Sequence, residues 1–137
     1  MALNLIRESV GSAQAKTGLT QYQTIVTRNK HALVIDEPES SKGTDTGIDP
    51  VGLLMSSLAS CTSITLRMYI DRKMWIVDEI TVNVEMFKIN GGTVFERTLH
   101  FKGELNDDQK KRLEQIADAC PIHKILVGDI MVKTQIV

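Results

Sequence analysis

The tripeptide Asn90-Gly91-Gly92 constrains this chain more than any other feature. Such a step reverses a strand tightly, because Asn and Gly enter the left-handed backbone region at little cost. Before it, Ile76, Ile80, Val82, Val84 and Met86 alternate with Val77, Glu79, Thr81, Asn83 and Glu85. A period of two reads as a long, half-buried strand. After it, Thr93 to Lys102 reads as the returning strand. The second half of the chain is thus committed to an antiparallel hairpin.

The elements around the hairpin follow from local chemistry. Gln21 to Arg28 is rich in Thr, Ile, Val and Tyr, which suits a strand. Asn29-Lys30 can turn it back into a strand over His31 to Asp36. Glu37 to Asp49 holds Pro38, Gly43, Gly47 and small polar residues, and reads as a loop. The pair Asp36-Glu37 reads as a solvated strand end. Asp49-Pro50 is a helix start: the carboxylate can cap free N–H groups, and proline has none to satisfy at the first helical position. The helix should run from Val51 to about Lys73, with Leu53, Leu54, Leu58, Cys61, Thr65 and Met68 on or near one face. Ser56, Ser57, Ala59 and Ser60 make its other face small, so it should pack on both sides as a central helix. Asn106 and Gln109 have the spacing of a capping box, with Asp107 and Asp108 at the favourable end of the helix dipole. Leu113, Ile116, Ala117 and Cys120 then mark that helix's apolar face. Pro121 can open a further helical turn, and Gly128 to Ile136 should close the fold as a strand. The sum is α+β: an antiparallel sheet, a central helix and a second helix.

Bulk properties narrow the function. The 137 residues are one domain's worth, with no linker or repeat, so a single domain over 1–137 is expected. A formal net charge of -1 gives no basic field for nucleic acid. Met1 to Val10 lacks the apolar centre of a signal peptide, and no membrane span is expected. A cytoplasmic protein follows as the expectation. Phosphate-binding glycine loops, the serine-hydrolase elbow and the paired-histidine zinc motif are all absent.

Two cysteines in a reducing compartment are not a structural framework. They are buried bystanders, metal ligands or redox groups. Cys61 lies about three turns into its helix, too far for that helix's own N-terminus to stabilise a thiolate. Positive charge must come from elsewhere: Lys16, Arg28, Arg67 and Arg97 are candidates, with His31 or His123. Arg97 is in register with Phe95, Leu99 and Phe101, so it should point toward the core side and need an anionic partner, a carboxylate or a thiolate. As a small hydrophobe, Cys61 could equally be inert core. Cys120-Pro121-Ile122-His123 admits three readings: a core cysteine at a helix end, a second redox thiol beside a proton carrier, or part of a zinc site with Cys61 and His31 or His100.

The segment Gly47-Ile48-Asp49-Pro50, Leu53-Leu54 and Ser57-Leu58-Ala59-Ser60-Cys61-Thr62-Ser63-Ile64-Thr65-Leu66-Arg67-Met68-Tyr69 resembles the OsmC/Ohr family, and the likeness continues through Asp71-Arg72-Lys73 and Trp75. His31-Ala32-Leu33-Val34 with Asp36-Glu37-Pro38 looks like one OsmC-like branch, and Cys120-Pro121-Ile122-His123 like the family's second cysteine motif. The resemblance implies an intertwined α+β homodimer and thiol peroxidase chemistry on organic hydroperoxides and hydrogen peroxide. It assigns Cys61 as the peroxidatic cysteine and Cys120 as the resolving one, reduced by an external dithiol, with no cofactor and no metal. Lys16 or Arg28 would take the place of the thiolate-stabilising arginine. The glutamate that follows the helix-start proline in the Ohr branch is Val51 here, which sets the chain closer to the OsmC-like branch. The alternative on the same fold is a non-catalytic small-molecule-binding or redox-sensing protein.

Overall fold

The computed structural model describes residues 7–137. The chain divides after Leu53 into two compact units, a boundary inside a helix rather than at a linker.

The first unit is a three-stranded antiparallel sheet in the order β1-β2-β3. The strands are β1 (Gln14–Thr17), β2 (Thr24–Arg28) and β3 (His31–Ile35). β2 and β3 lie where the sequence placed them; β1, with only four residues, carries no period to detect. Asn29 turns β2 into β3 with φ +53°, a conformation that asparagine tolerates well. The loop that follows is not solvated in the way expected. Asp36 is 1% exposed. Its carboxylate accepts hydrogen bonds from the hydroxyls of Thr44 and Thr46 and from the N–H groups of Glu37, Thr44 and Thr46. The Thr44 hydroxyl foremost, then Thr46, holds this carboxyl well below the usual carboxylate range. The loop thus wraps an internal anion. Glycine flanks it on both sides for space: a Cβ on Gly43 would run into the Glu37 carbonyl oxygen, and one on Gly47 into the Val34 carbonyl oxygen.

The second unit contains most of the helix α1 (Pro50–Lys73), the hairpin β4 (Ile76–Ile89) and β5 (Gly92–Glu104), and the helices α2 (Asp107–Ile116) and α3 (Pro121–Val127). The hairpin turns at Asn90-Gly91, where Gly91 has φ +78°. Its register runs from Ile89↔Gly92 to Ile76↔Glu104, with one irregularity between Val77 and Glu79. That bulge corrects the alternation read from sequence. One extra residue flips the faces beyond it, so Val77 is buried and Ile76 is exposed.

α1 also turns differently from its expected face. The buried stripe is Leu58, Thr62, Leu66, Tyr69 and Ile70, whereas Leu54 and Met68 are exposed. By length and composition α1 is apolar enough to cross a membrane, contrary to the expectation that no segment would be. Its stripe instead joins the core: Leu66, Tyr69 and Ile70 cluster with Val77, Leu113 and Ala117, flanked by Trp75, Ile80, Val82, Leu99 and Phe101. α1 ends in a reciprocal backbone closure, with Met74 N–H donating to Asp71 and Trp75 N–H to Ile70. Met74 takes the left-handed position, φ +57°, that glycine would occupy without steric cost.

The predicted capping box is present: Asn106 accepts from the Gln109 N–H at 2.8 Å, and the Gln109 side chain accepts from the Asn106 N–H at 2.9 Å. The predicted closing strand is not. Residues 128–137 form no ladder within the chain. The alternating sequence is there, but a strand needs a partner edge to satisfy its backbone groups.

Candidate active site

Both cysteines are free, and the fold brings their thiols together. Cys61 is half-buried on α1, beside the core stripe that contains Leu58 and Thr62. Cys120 has no exposed surface. It ends a short 3₁₀ turn over Ala117–Ala119 and caps α3, where its Sγ accepts from the His123 N–H at 3.5 Å. Proline at the first position of α3 favours this cap, since it leaves one fewer N–H to satisfy.

The two thiols are driven in opposite directions. Burial pushes the Cys61 thiol up, and its hydrogen bond and proximity to Cys120 push it further; the Ile122 N–H and Thr65 hydroxyl oppose this only in part. Burial also pushes Cys120 up, but the neighbouring Cys61 thiol, the His123 N–H, the nearby Thr62 side chain and the Ile122 N–H outweigh it, and the net direction is down. The two thiols therefore titrate as one coupled pair rather than as independent groups.

Arg97 stands beside the pair, and its guanidinium is the residue sequence reasoning half-located. It does point inward from β5. Its anionic partner is a carboxylate: Nη2 donates to Asp118 Oδ1 at 2.8 Å and to His123 Nδ1 at 3.1 Å. Nη1 donates to Thr62 Oγ1 and to the Ala117 carbonyl oxygen, each at 3.0 Å. Thr62 completes its own bonding by donating to the Leu58 carbonyl at 2.7 Å. The His123 ring thus faces Arg97 and Asp118. Among the described residues no three His, Cys, Asp or Glu side chains converge as a metal site.

The other sequence candidates lie elsewhere. Arg67 bonds Asp71 and the Val77 carbonyl. His31 and His100 are exposed on β3 and β5. Lys16 is exposed on β1, and Arg28, at the end of β2, donates to the Ser12 carbonyl at 3.0 Å; both belong to the first unit. A hollow of about 730 Å³ runs along β5 and α2 past Arg97 and Asp118, but neither cysteine lines it. Asp36 and Thr62 are the buried polar residues that sequence reasoning left unassigned as such. For Asp36 the available signal was Thr44-Asp45-Thr46 between two glycines, a run of donors on a loop with no side chain to hold it off.

The fold matches solved structures across nearly the whole chain. An OsmC-like protein from Mycoplasma pneumoniae superposes with a TM-score of 0.75 at 18% identity, covering 89% of this chain and 90% of that one. An organic hydroperoxide resistance protein from Elizabethkingia anophelis gives 0.65 at 20% identity, covering 91% and 93%. The organic hydroperoxide resistance protein OhrB of Bacillus subtilis gives 0.60 at 22% identity, covering 88% and 93%. No curated protein matches the chain. The family profile described as OsmC-like protein matches residues 43–135, a span that contains α1, the hairpin and both cysteines. The chain belongs to the OsmC-like protein family.

Proposed function

We propose that the chain is a thiol peroxidase that reduces organic hydroperoxides and hydrogen peroxide through Cys61 and Cys120, in defence against oxidative stress. The observation that carries this reading is the juxtaposition of a partly exposed thiol and a buried one, close enough to perturb each other. The hydroperoxide resistance proteins among the structural neighbours support the same chemistry.

The reactive form is the pair with one proton. With that proton on Cys120, the Cys61 thiolate attacks the terminal peroxide oxygen. An S–O bond forms and the O–O bond breaks. The leaving alkoxide takes the proton from Cys120 and departs as alcohol, or as water when the substrate is hydrogen peroxide. Cys61 is now a sulfenic acid and Cys120 a thiolate. Cys120 attacks the Cys61 sulfur, the S–S bond forms, and hydroxide leaves. An external dithiol restores the pair by exchange. Lys16 or Arg28 would steady the Cys61 thiolate, in a cytoplasmic homodimer.

A second reading, redox sensing without turnover, is favoured by the raised Cys61 thiol, which lowers the thiolate fraction at neutral pH. Steady-state assay decides between them. A peroxidase consumes many equivalents of an alkyl hydroperoxide in the presence of a dithiol, with one dithiol oxidised per peroxide. A single equivalent consumed, with no continuing turnover, would overturn the peroxidase reading in favour of sensing.

A further inference from the structure

We propose that Arg97 is a positioning residue that clamps the Cys120 turn onto α1 and so sets the ease with which the two cysteines become a disulfide. The inference rests on the Cys61–Cys120 reading above, and adds a residue that reading does not use.

A single planar group reaches three segments. It bonds Thr62, the residue directly after Cys61. It bonds Ala117 and Asp118, in the 3₁₀ turn that leads directly into Cys120. It bonds His123, in the first turn of the helix that Cys120 caps. The Cys120 turn is therefore tied to α1 from both sides of the cysteine. The Arg97 side chain is 14% exposed, so its bonds to Thr62, Ala117 and His123 are partly shielded from competing water, while Asp118 meets it at the surface.

The chemistry of guanidinium adds direction. Arginine has donors only, so His123 Nδ1 must accept, which places the ring proton on Nε2. That nitrogen lies 3.7 Å from Asp118 Oδ1. Arg97, Asp118 and His123 thus hold one another in a fixed arrangement. Disulfide geometry is narrow in separation and dihedral angle, so freedom in the Cys120 turn lowers the effective concentration of one thiol at the other. Lysine cannot substitute. Its ammonium is a point charge without the planar fork that spans these acceptors.

The test is a thiol–disulfide equilibrium, which needs no peroxide. Reduced protein is equilibrated in glutathione buffers of graded ratio, and the Cys61–Cys120 disulfide is read by intact mass. One oxidised glutathione is consumed and two reduced glutathiones are released per protein disulfide. Arg97→Lys and Arg97→Gln should each lower the equilibrium constant at least tenfold, a shift of about 30 mV for a two-electron couple. Thr62→Val, which removes the acceptor on α1 along with that hydroxyl's own bond to the Leu58 carbonyl within the helix, should lower it by a smaller factor of about three, within the range of one lost hydrogen bond. Arg67→Lys removes a comparable tie between α1 and the Val77 carbonyl, away from the cysteines, and should leave the constant unchanged within about twofold, as expected for a site with no shared partner.

An Arg97→Lys constant equal to wild type overturns the proposal, and so does an equal fall in Arg67→Lys. A constant lost in Arg97→Gln but retained in Arg97→Lys also overturns it, because charge alone would then suffice. If the Arg97 variants do not fold, an unchanged constant in Thr62→Val overturns it. Wild-type protein that forms no disulfide at any ratio overturns it as well. Wild-type protein that forms the disulfide yet turns over no peroxide leaves Arg97 in this role and removes the peroxidase reading instead.

Discussion

Cys61→Ser is expected to reduce hydroperoxide consumption to the uncatalysed background, a loss of at least about a thousandfold. The reason is chemical before it is structural. The step needs a polarisable thiolate, and a serine hydroxyl supplies none at neutral pH. Cys120 cannot take over, because it has no exposed surface through which a peroxide could reach it. Cys61 itself is half-buried, so exchange of one sulfur for oxygen removes little packing and the variant should fold. Far-UV circular dichroism and a thermal melt beside the peroxide assay separate a dead site from a lost fold. Consumption within tenfold of wild type would mean that Cys61 is not the nucleophile.

Cys120→Ser should divide the reaction into its halves. The first turnover remains and Cys61 stops at sulfenic acid, which a dimedone-type reagent traps. Steady-state turnover with a dithiol should fall about a hundredfold or more, and excess peroxide should drive Cys61 on to sulfinic acid. The substitution should also move the pH dependence of Cys61. Burial remains as the first cause of its raised pKa, but the hydrogen bond and charge of Cys120 disappear. With those removed, the pKa falls toward the ordinary thiol value and the thiolate fraction at a given pH below it rises. Alkylation of Cys61 by iodoacetamide across pH should therefore show a lower midpoint in Cys120→Ser than in wild type. A midpoint that stays put or rises would contradict the pairing of the two thiols.

These expectations depend on features that the sequence displayed unequally. The β4–β5 hairpin was legible because its turn and its two-residue period are local signals. The Asn106 capping box was legible for the same reason. The bulge at Asp78 was not, since one unpaired residue leaves no mark on composition yet exchanges the faces of Ile76 and Val77. The α1 stripe was misplaced because leucine, methionine, serine and threonine all occur around the helix, and only tertiary packing chooses Thr62 over Met68 for the interior. Gly128 to Ile136 has the alternation of a strand, but alternation states a preference and the ladder needs a second edge.

The site shows the same division. Cys61 and Cys120 were nameable from their flanking motifs, and both lie within the span that the family profile matches. Their contact was not, because they come from a long helix and a turn far apart in sequence, joined only by the fold. Arg97 was seen to face inward from its place beside Phe95, Leu99 and Phe101. Its partners Asp118 and His123 lie across an intervening helix, beyond the reach of any local pattern. Asp36 was read as solvated because acidic pairs at strand ends usually are; two threonines on a folded-back loop made it a buried anion.

The central claim is that Cys61 and Cys120 act as one redox pair, and one measurement meets it most directly. Reduced wild-type protein receives one equivalent of an alkyl hydroperoxide, and its intact mass is recorded together with the peptide map. The account requires a loss of two hydrogens per chain, with Cys61 and Cys120 joined in one cross-linked peptide pair. A gain of oxygen on Cys61 with Cys120 still free, or an unchanged mass, would contradict it.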